Sequence, residues 1–401
     1  MFNKIPRTTI IIEDDVPKHR KDTMSVFEIM HKNTIVAAIS LRGEVEIYNP
    51  TFMPYDLYLE EWDDFDIARN NVTEFQHWCA SRMLSLDRTH AKAILNAIGA
   101  LQSPTDADRA NIALSCHCVS LTDVYWVRER GDNVAFEQIN IYENSLNEAV
   151  VELSLKGRAL TVTNQELVTP RDLAHDLSTR GLFPKAWIRR GKSFILLKDG
   201  GAETVRRELL ASAICRCFDV PQVLYEPGEY GGERISQSQI VTSIERSLVP
   251  MRAYEVRCIN EDLDYLEEVK KMDAAAYYGM NILDYLTGNT DRHMENWGLW
   301  VDNNTNEPIS LHPLMDFNQC FGAYDTIDGA NCLTVGGRRL SQRQAAIEAV
   351  QAIGLPQICE VDFSVFGNNL KEADMFGKRL AELKRFAHDA QSNVDKSKEN
   401  N

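Results

Sequence analysis

The apolar residues change their spacing along the chain, and these changes predict where its strands and helices lie. From Val26 to Tyr48 apolar and polar residues alternate, with breaks at Asn33 and Gly43. Alternating runs separated by turn residues are typical of a small antiparallel sheet. Apolar residues three and four apart then predict helices over 74–84 and 91–101. The first part of the chain therefore combines a sheet with helices.

The second half of the chain has a clearer pattern. Two apolar runs, 185–189 and 193–198, flank a short Arg-Gly-Lys turn and predict a β-hairpin. A helix is predicted over 202–218 and another over 273–287, where the following Gly288 suits the left-handed residue that often ends a helix. The sequence therefore predicts an α+β chain that becomes mainly helical towards its C-terminus.

Composition and charge narrow the class of protein. The 401 residues are 44% hydrophobic and 25% charged, the balance of an ordinary globular protein. The net charge of −16 disfavours general nucleic-acid binding, because an acidic surface repels a phosphate backbone. The sequence has no run of eighteen apolar residues, so it predicts no membrane span. The apolar run near the N-terminus is too short for a signal peptide. We therefore expect a cytoplasmic protein without direct nucleic-acid or membrane contact.

The nine cysteines form no CxxC pair. Cys116, His117 and Cys118 are the one cluster that mixes two kinds of metal-ligating residue, and their spacing is too tight for a zinc site. Cys116 and Cys118 are therefore expected to be buried thiols of a reduced intracellular protein.

A polar segment after the 273–287 helix carries the residues most suggestive of chemistry. Asp291 and Asn296 are five positions apart, and Asp316 follows a predicted hairpin over 297–301 and 309–311. A phosphoryl-transfer site of the kinase type needs an Asp that orients the acceptor hydroxyl, an Asn that binds Mg²⁺ and a second Asp that joins metal to phosphates, in this order. Carboxylate and amide oxygens are ligands that Mg²⁺ prefers.

A cation for the nucleotide phosphates is also available. Lys198 ends a strand, and Glu208, ten residues later on a helix, could pair with it and hold it extended. Leu196 shares a strand face with Lys198 and could lie against an adenine ring. Each of these residues alone is more often an ordinary surface or core residue. His293 is open to two interpretations, a base or a residue that packs under the loop.

The segment GNTDRHMEN (288–296), followed by a hairpin and the triplet DFN (316–318), resembles the HipA-like Ser/Thr kinases. The phosphatidylinositol 3/4-kinases share its DRHxxN pattern. The resemblance covers 180–322 and extends over 26–180, where HipA-like chains carry an N-terminal subdomain. It implies an α+β, bilobal, protein-kinase-like fold with a small β-rich N-terminal subdomain and a mainly helical C-terminal lobe. Asn318 stands where the kinase signature has Gly, and Asn tolerates a positive φ.

The resemblance also implies a division into domains. An N-terminal α/β subdomain of unknown role would occupy 1–160, and a kinase N-lobe with the nucleotide-binding sheet and helix would occupy 161–245. A helical C-lobe with the catalytic loop would follow over 246–392, and 393–401 would form a disordered tail.

The roles of single residues follow from the same resemblance. Asp291 would be the catalytic base, Asn296 and Asp316 the Mg²⁺ ligands, and Lys198 the lysine that holds the nucleotide, supported by Glu208. The further residues assigned to ATP are those of a phosphate loop, a hinge and two neighbours: Ser178, Thr179, Gly181, Val241, Thr242, Ile244, Leu196 and His293. Ser178 or Thr179 would be a site of autophosphorylation.

The sequence thus predicts an ATP- and Mg²⁺-dependent kinase that phosphorylates a Ser or Thr of a protein substrate. A toxin role, with an antitoxin protein as partner, is implied by the resemblance alone. Two other functions stay open, a lipid or small-molecule kinase and a catalytically inactive kinase fold that acts as a binding module.

Overall fold

A computed structural model describes residues 25–61, 64–84, 86–97, 105–144, 154–155, 183–322 and 326–399. It divides into two compact units. The first holds the described residues up to Leu196 together with Thr242–Ser247 and Asp302–Glu307, and the second holds Leu197–Val241, Leu248–Val301 and the described residues from Pro308 onwards. The division into three domains and a tail expected from the resemblance stays a prediction.

The first unit contains a four-stranded antiparallel sheet in the order β3-β2-β1-β4. Its strands are β1 (Val26–His31), β2 (Thr34–Ser40), β3 (Val45–Ile47) and β4 (Tyr125–Glu129). The helices of this unit are α1 (Phe65–Ser81), α2 (Ala91–Ala97), α3 (Asp106–Ser115) and the short α4 (Phe136–Ile139). The sheet predicted from the alternating pattern is confirmed. Ile29, Val36 and Trp126 on its strands are fully buried and form part of the core.

Helix α1 begins well before the start at residue 74 that the apolar spacing predicts. Asp64 provides the reason, since its side chain accepts hydrogen bonds from the backbone N–H groups of Asp66 and Ile67. Such an N-cap satisfies amides that have no partner within the helix. The first two turns mix apolar Phe65, Ile67 and Ala68 with polar residues, so the N-cap marks the start of the helix more clearly than the apolar spacing does.

A β-hairpin, β5 (Lys185–Arg190) and β6 (Ser193–Lys198), follows the predicted boundaries closely. The later strands and helices are β7 (Tyr225–Tyr230), β8 (Glu233–Gln239), β9 (Arg246–Pro250), β10 (Gly298–Asp302), β11 (Glu307–Leu311), α5 (Ala202–Cys215), α6 (Met251–Asn260), α7 (Tyr265–Thr287), α8 (Gln342–Ile353) and α9 (Leu370–Glu399). Strands β7 and β8 pair antiparallel, and three strands form a sheet in the order β11-β10-β9. The predicted hairpin after the polar loop is thereby confirmed.

The described structure is therefore mixed, with the β-sheet N-terminal region and the helical C-terminal part that the sequence predicts. Helix α9 extends to Glu399, and the disordered tail expected over 393–401 stays a prediction. Among the described residues, no helix is long and apolar enough to cross a membrane.

Helix α7 holds the polar loop at its C-terminal end. Its last twelve residues, 276 to 287, are almost all buried, and a kink at Asp273 separates them from a more exposed first part. Gly288 ends the helix at φ 62°, in the left-handed region, as the sequence predicts. A Cβ at Gly288 would lie 3.2 Å from Arg379 Nη1 and 3.4 Å from Met375 Cε. Crowding and backbone conformation therefore both favour glycine here.

Gly288→Ala should lower the free energy of unfolding by about 2 kcal/mol, from the left-handed backbone and the crowding combined. Gly191→Ala is the matched control, because Gly191 has the same φ of 62° but no atom within 4 Å of the added Cβ. Urea denaturation should give a loss of only about 1 kcal/mol for that control. Equal losses would show that the contacts with Arg379 and Met375 do not constrain Gly288.

Candidate active site

Three charged side chains that are far apart in sequence meet in the second unit. Lys198, at the end of β6, donates from Nζ to Glu208 Oε1 at 2.7 Å and to Asp316 Oδ1 at 3.0 Å. Lys198 and Glu208 are buried, with 8% and 2% of their surfaces exposed. The predicted Lys198–Glu208 pair is present, and Asp316 joins the same cluster. The structure thus brings together three of the residues singled out from the sequence.

Burial and charge act in opposite directions on Lys198. Burial is the largest single effect and disfavours the ammonium form, but the carboxylates of Asp316 and Glu208 outweigh it and hold the pKa of Lys198 well above its usual value. The side chain is therefore a permanent cation at every physiological pH. A fixed cation beside a carboxylate suits a site that binds phosphates.

Two polar residues that the sequence analysis missed hold this cluster in place. Ser236 on β8 donates a hydrogen bond to Glu208 Oε2, so both oxygens of the buried carboxylate are bonded. The backbone N–H of Asp316 donates to Tyr225 Oη at 3.1 Å, and the Tyr225 ring centroid lies 4.9 Å from Lys198 Nζ. A Ser and a Tyr on neighbouring strands carry no spacing signal, which is why sequence reasoning did not identify them.

A buried ion pair supports the loop that carries Asp291. Asp284, on the buried face of α7, accepts from Arg292 Nε and Nη2 at 3.0 Å each. Arg292 also donates from Nη1 to the carbonyl of Asn296 at 2.7 Å and to that of Met315 at 2.5 Å. Burial disfavours the guanidinium, yet Asp284 keeps the pKa of Arg292 above its usual value. One side chain therefore ties together both ends of the loop and the residue preceding Asp316.

Asn289 completes the base of this loop. Its amide donates to Asp284 Oδ1 at 3.0 Å, and its side-chain oxygen accepts from the backbone N–H of Asp291 at 3.2 Å. Asn289 is held by Asp284 of the ion pair, and it in turn holds the backbone of Asp291. The side chain of Asp291 is 42% exposed.

Asn296 lies against Asp291 as the spacing predicts. Its amide nitrogen donates to the backbone carbonyl of Asp291 at 2.7 Å and lies 3.4 Å from Asp291 Oδ2. Partial burial raises the pKa of Asp291, and the charge of Asp316 raises it further, while His293 and Arg292 lower it. Since the charge of Asp316 acts on Asp291, the two carboxylates belong to one electrostatic environment.

His293 does not pack under the loop, and that interpretation is wrong. Its side chain is 48% exposed, with Nε2 3.8 Å from Asp291 Oδ1. Its Nδ1 accepts from the backbone N–H of Glu295 at 3.2 Å, so it shapes the loop from the outside. The residue that packs under the loop is its neighbour Arg292, because a guanidinium can donate to several carbonyls at once.

The triplet 316–318 differs from the expectation in its backbone. Asp316 has φ 58°, whereas Asn318, the residue expected to adopt a positive φ, does not. Asn318 instead donates from Nδ2 to Asp316 Oδ1 at 2.7 Å. Asp316 Oδ1 is therefore fixed between Asn318 and Lys198. The buried Oδ1 of Asn318 has no hydrogen-bond partner within the described part of the chain.

The donor set fits Mg²⁺ with a phosphate ligand. No group of three or more His, Cys, Asp or Glu residues that could hold a metal occurs in the described ranges. Asn296 and Asp316, the two expected ligands, supply one amide oxygen and one carboxylate. Mg²⁺ commonly takes one or two carboxylates and completes its shell with water and substrate phosphates. The residues therefore suit a cation that arrives with a nucleotide.

The other residues predicted to bind the nucleotide are not part of the contacts described for this cluster. Ser178, Thr179 and Gly181 lie outside the described residues. Leu196, Thr242 and Ile244 belong to the first unit and Val241 to the second. Thr242 is buried and its hydroxyl donates to the carbonyl of Leu121, also in the first unit. Their assignment to a nucleotide stays a prediction.

No family model matches the chain, and no curated protein matches its sequence. Among solved structures, it is similar to the Helicobacter pylori proinflammatory kinase CtkA, with a TM-score of 0.43, 16% identity and coverage of 53% of this chain and 92% of that chain. It is also similar to HipA of Shewanella oneidensis MR-1, solved with HipB and operator DNA, with a TM-score of 0.44, 11% identity and coverage of 90% and 91%. At these TM-scores and identities, the comparisons assign the chain to no family. They also do not bear out the expectation of no nucleic-acid contact.

Lys198→Met should lower the free energy of unfolding by about 3–5 kcal/mol, because it leaves the Glu208 carboxylate buried without its cation. Adding Glu208→Gln should restore part of that loss, since the neutral amide needs no cation. Urea denaturation of the two single variants and the double variant measures the coupling. Lys378→Met, which breaks an exposed pair with Asp374, is the control and should change stability by less than about 1 kcal/mol. Additive losses from the two substitutions would contradict the described pair.

Proposed function

We propose that this chain is an ATP- and Mg²⁺-dependent kinase that transfers a phosphoryl group to a Ser or Thr hydroxyl of a protein. The observation that carries the proposal is the meeting of Lys198, Glu208 and Asp316 around one buried ammonium group. Each of these residues was selected from the sequence for a separate part in phosphoryl transfer. Their convergence in space is support that no single motif could give.

Mg-ATP, when bound, would supply the phosphoryl group, and its Mg²⁺ would neutralise part of the negative charge of the phosphates. In this proposal Lys198 donates to the phosphates, and Asp316 and Asn296 provide the oxygen ligands of the cation. Asp291 accepts a hydrogen bond from the acceptor hydroxyl and orients it. Catalysis by these residues is mainly positioning and charge neutralisation, since phosphoryl transfer needs little covalent chemistry from the protein.

The finer parts of the proposal rest on the motif resemblance to HipA-like kinases. We include a toxin role with an antitoxin protein as partner, autophosphorylation at Ser178 or Thr179, and the three-domain division at 160 and 245. The alternatives of a lipid or small-molecule kinase and of an inactive binding module remain as outcomes of the experiments below. Phosphoproteomics of cells that express the wild-type chain or Asp291→Ala would identify the acceptor class.

Asp291→Asn should lower phosphate transfer from γ-labelled ATP by about 10²–10⁴-fold, the usual contribution of a positioned base. Binding of Mg-ATP should persist, because Asp291 is not the main ligand of the cation in this proposal. Thermal unfolding with and without Mg-ATP measures binding, and autoradiography measures transfer. Equal labelling of wild type and Asp291→Asn would contradict the assignment of the base.

Asp316→Asn should remove both the transfer and most of the thermal stabilisation by Mg-ATP, because it deletes a charged ligand of the cation. Asp374→Asn, which removes an exposed carboxylate of α9, is the matched control and should leave both measurements unchanged. If Mg-ATP does not stabilise the wild-type chain at all, the chain is an inactive binding module and the proposed function fails.

The pH dependence of transfer should report on the loop around Asp291. The base must be ionised, so activity should fall as the pH drops through the raised pKa of Asp291. His293 lowers that pKa, and His293→Ala should therefore move the acid limb of kcat/KM upwards, by up to about one pH unit. His388→Ala, at an exposed position of α9, should leave the profile unchanged. A downward shift for His293→Ala would contradict the described electrostatics.

A further inference from the structure

Two segments of the second unit form a short antiparallel contact at the C-terminal end of α5. The backbone N–H of Ile358 donates to the carbonyl of Cys217 at 2.8 Å, and that of Asp219 donates to the carbonyl of Pro356 at 2.8 Å. Phe218 and Gln357 form the bridge between these two bonds. The segment around 357 is thereby held in a fixed position against the end of the helix that carries Glu208.

This contact places two cysteines next to each other. The backbone N–H of Cys359 approaches the carbonyl of Cys217 at 3.4 Å, and standard bond lengths then keep the two Cα atoms within about 7 Å. Disulfides span Cα separations of about 4.4–6.8 Å. The Cys217 thiol also donates to the carbonyl of Glu360, the residue after Cys359, at 3.7 Å. The backbone contact therefore keeps the pair close to the range of separations that a disulfide spans.

Access distinguishes this pair from the other thiols. All nine cysteines lie in described parts of the chain; six are buried, Cys217 and Cys332 are partly exposed, and Cys359 is exposed. Cys79 and Cys118 also contact each other, but both are buried in the first unit. The Cys332 thiol is hydrogen-bonded to Thr334 and Asn281. A dissolved oxidant can therefore reach Cys359 first, and its neighbour is Cys217.

We propose that Cys217 and Cys359 are a modification site, at which hydrogen peroxide or an organic peroxide forms a reversible intramolecular disulfide. The Cys359 thiolate attacks the peroxide, which gives a sulfenic acid and releases water or an alcohol. The Cys217 thiolate then attacks the sulfenic sulfur and displaces hydroxide, which takes up a proton to form water. Two thiols are oxidised, one peroxide is reduced by two electrons, and a reducing thiol reverses the step.

The order of the two attacks follows from the environment. Burial, and after it the neighbouring Cys359 thiol, raise the pKa of Cys217 to about 11. Cys217 is therefore a poor first nucleophile, while the exposed Cys359 meets the oxidant. Cys217 needs only to resolve a sulfenic acid on the neighbouring Cys359.

The bond would connect α5 to the segment before α9 at a second point. Arg206 on α5 already forms two hydrogen bonds with Glu372 on α9, at 3.0 and 2.6 Å. A disulfide between Cys217 and Cys359 closes a long chain loop, and such loops stabilise mainly by restricting the unfolded state. Oxidation should therefore raise the thermal midpoint of the whole chain without requiring α5 to move.

The experiment treats the full chain with a stoichiometric excess of hydrogen peroxide, blocks the remaining thiols with iodoacetamide and maps the peptides without reduction. We expect a cross-linked peptide pair that contains Cys217 and Cys359, a higher thermal midpoint, and the loss of both after dithiothreitol. Cys217→Ser and Cys359→Ser should each abolish the cross-link and the stabilisation. Cys332→Ser is the matched control and should retain both.

Three results would overturn the proposal. These are sulfinic or sulfonic acid at Cys359 without a cross-link, a disulfide-linked dimer through Cys359, and alkylation of both thiols after peroxide treatment. The readout is a covalent bond and a thermal midpoint, so it does not depend on kinase activity. A failure here leaves the proposed function intact, and the reverse also holds.

Discussion

The site depends on how one buried ammonium group is neutralised. Removing a lysine from water is unfavourable by several kcal/mol unless carboxylates and hydrogen bonds replace its hydration. Glu208 does this from α5 and is itself held by Ser236, while Asp316 approaches from the segment after β11. By formal charge Glu208 alone balances Lys198, so the charge of Asp316 remains as an excess. The cluster is therefore negative overall and suited to a divalent cation.

The second buried pair, Asp284 with Arg292, has a different purpose. Arg292 uses its further N–H groups on the carbonyls of Asn296 and Met315. Asn296 is itself a candidate metal ligand, and Met315 immediately precedes Asp316, the other candidate ligand. A planar guanidinium can fix two chain segments at once, which a lysine could not do. The geometry between the loop and Asp316 is thus set by one side chain and not by either segment alone.

Sequence patterns predict the elements and the candidate reactive residues, but not the residues that hold them in place. The spacing of Asp291, Asn296 and Asp316 was visible, because loops and turns expose polar residues between regular elements. Asp284 was not, since a single carboxylate on a helix with a strong apolar pattern is usually taken as solvent-exposed, whereas it faces the core. The positive φ was assigned to Asn318 on residue preference, but it occurs at Asp316, whose N–H must reach Tyr225. Hydrogen bonds between distant segments decided both cases.

Burial separates the supporting charged side chains from the candidate reactive ones. The side chains of Glu208 and Arg292 are about 2–3% exposed, and those of Asp316 and Asp291 are 24% and 42% exposed. A charge in a low-dielectric interior interacts strongly with its partner and is held in one geometry, whereas an accessible carboxylate can exchange water for a ligand. The buried pairs can therefore position the site before any ligand arrives. The accessible carboxylates keep the oxygens that a cation and a hydroxyl group need.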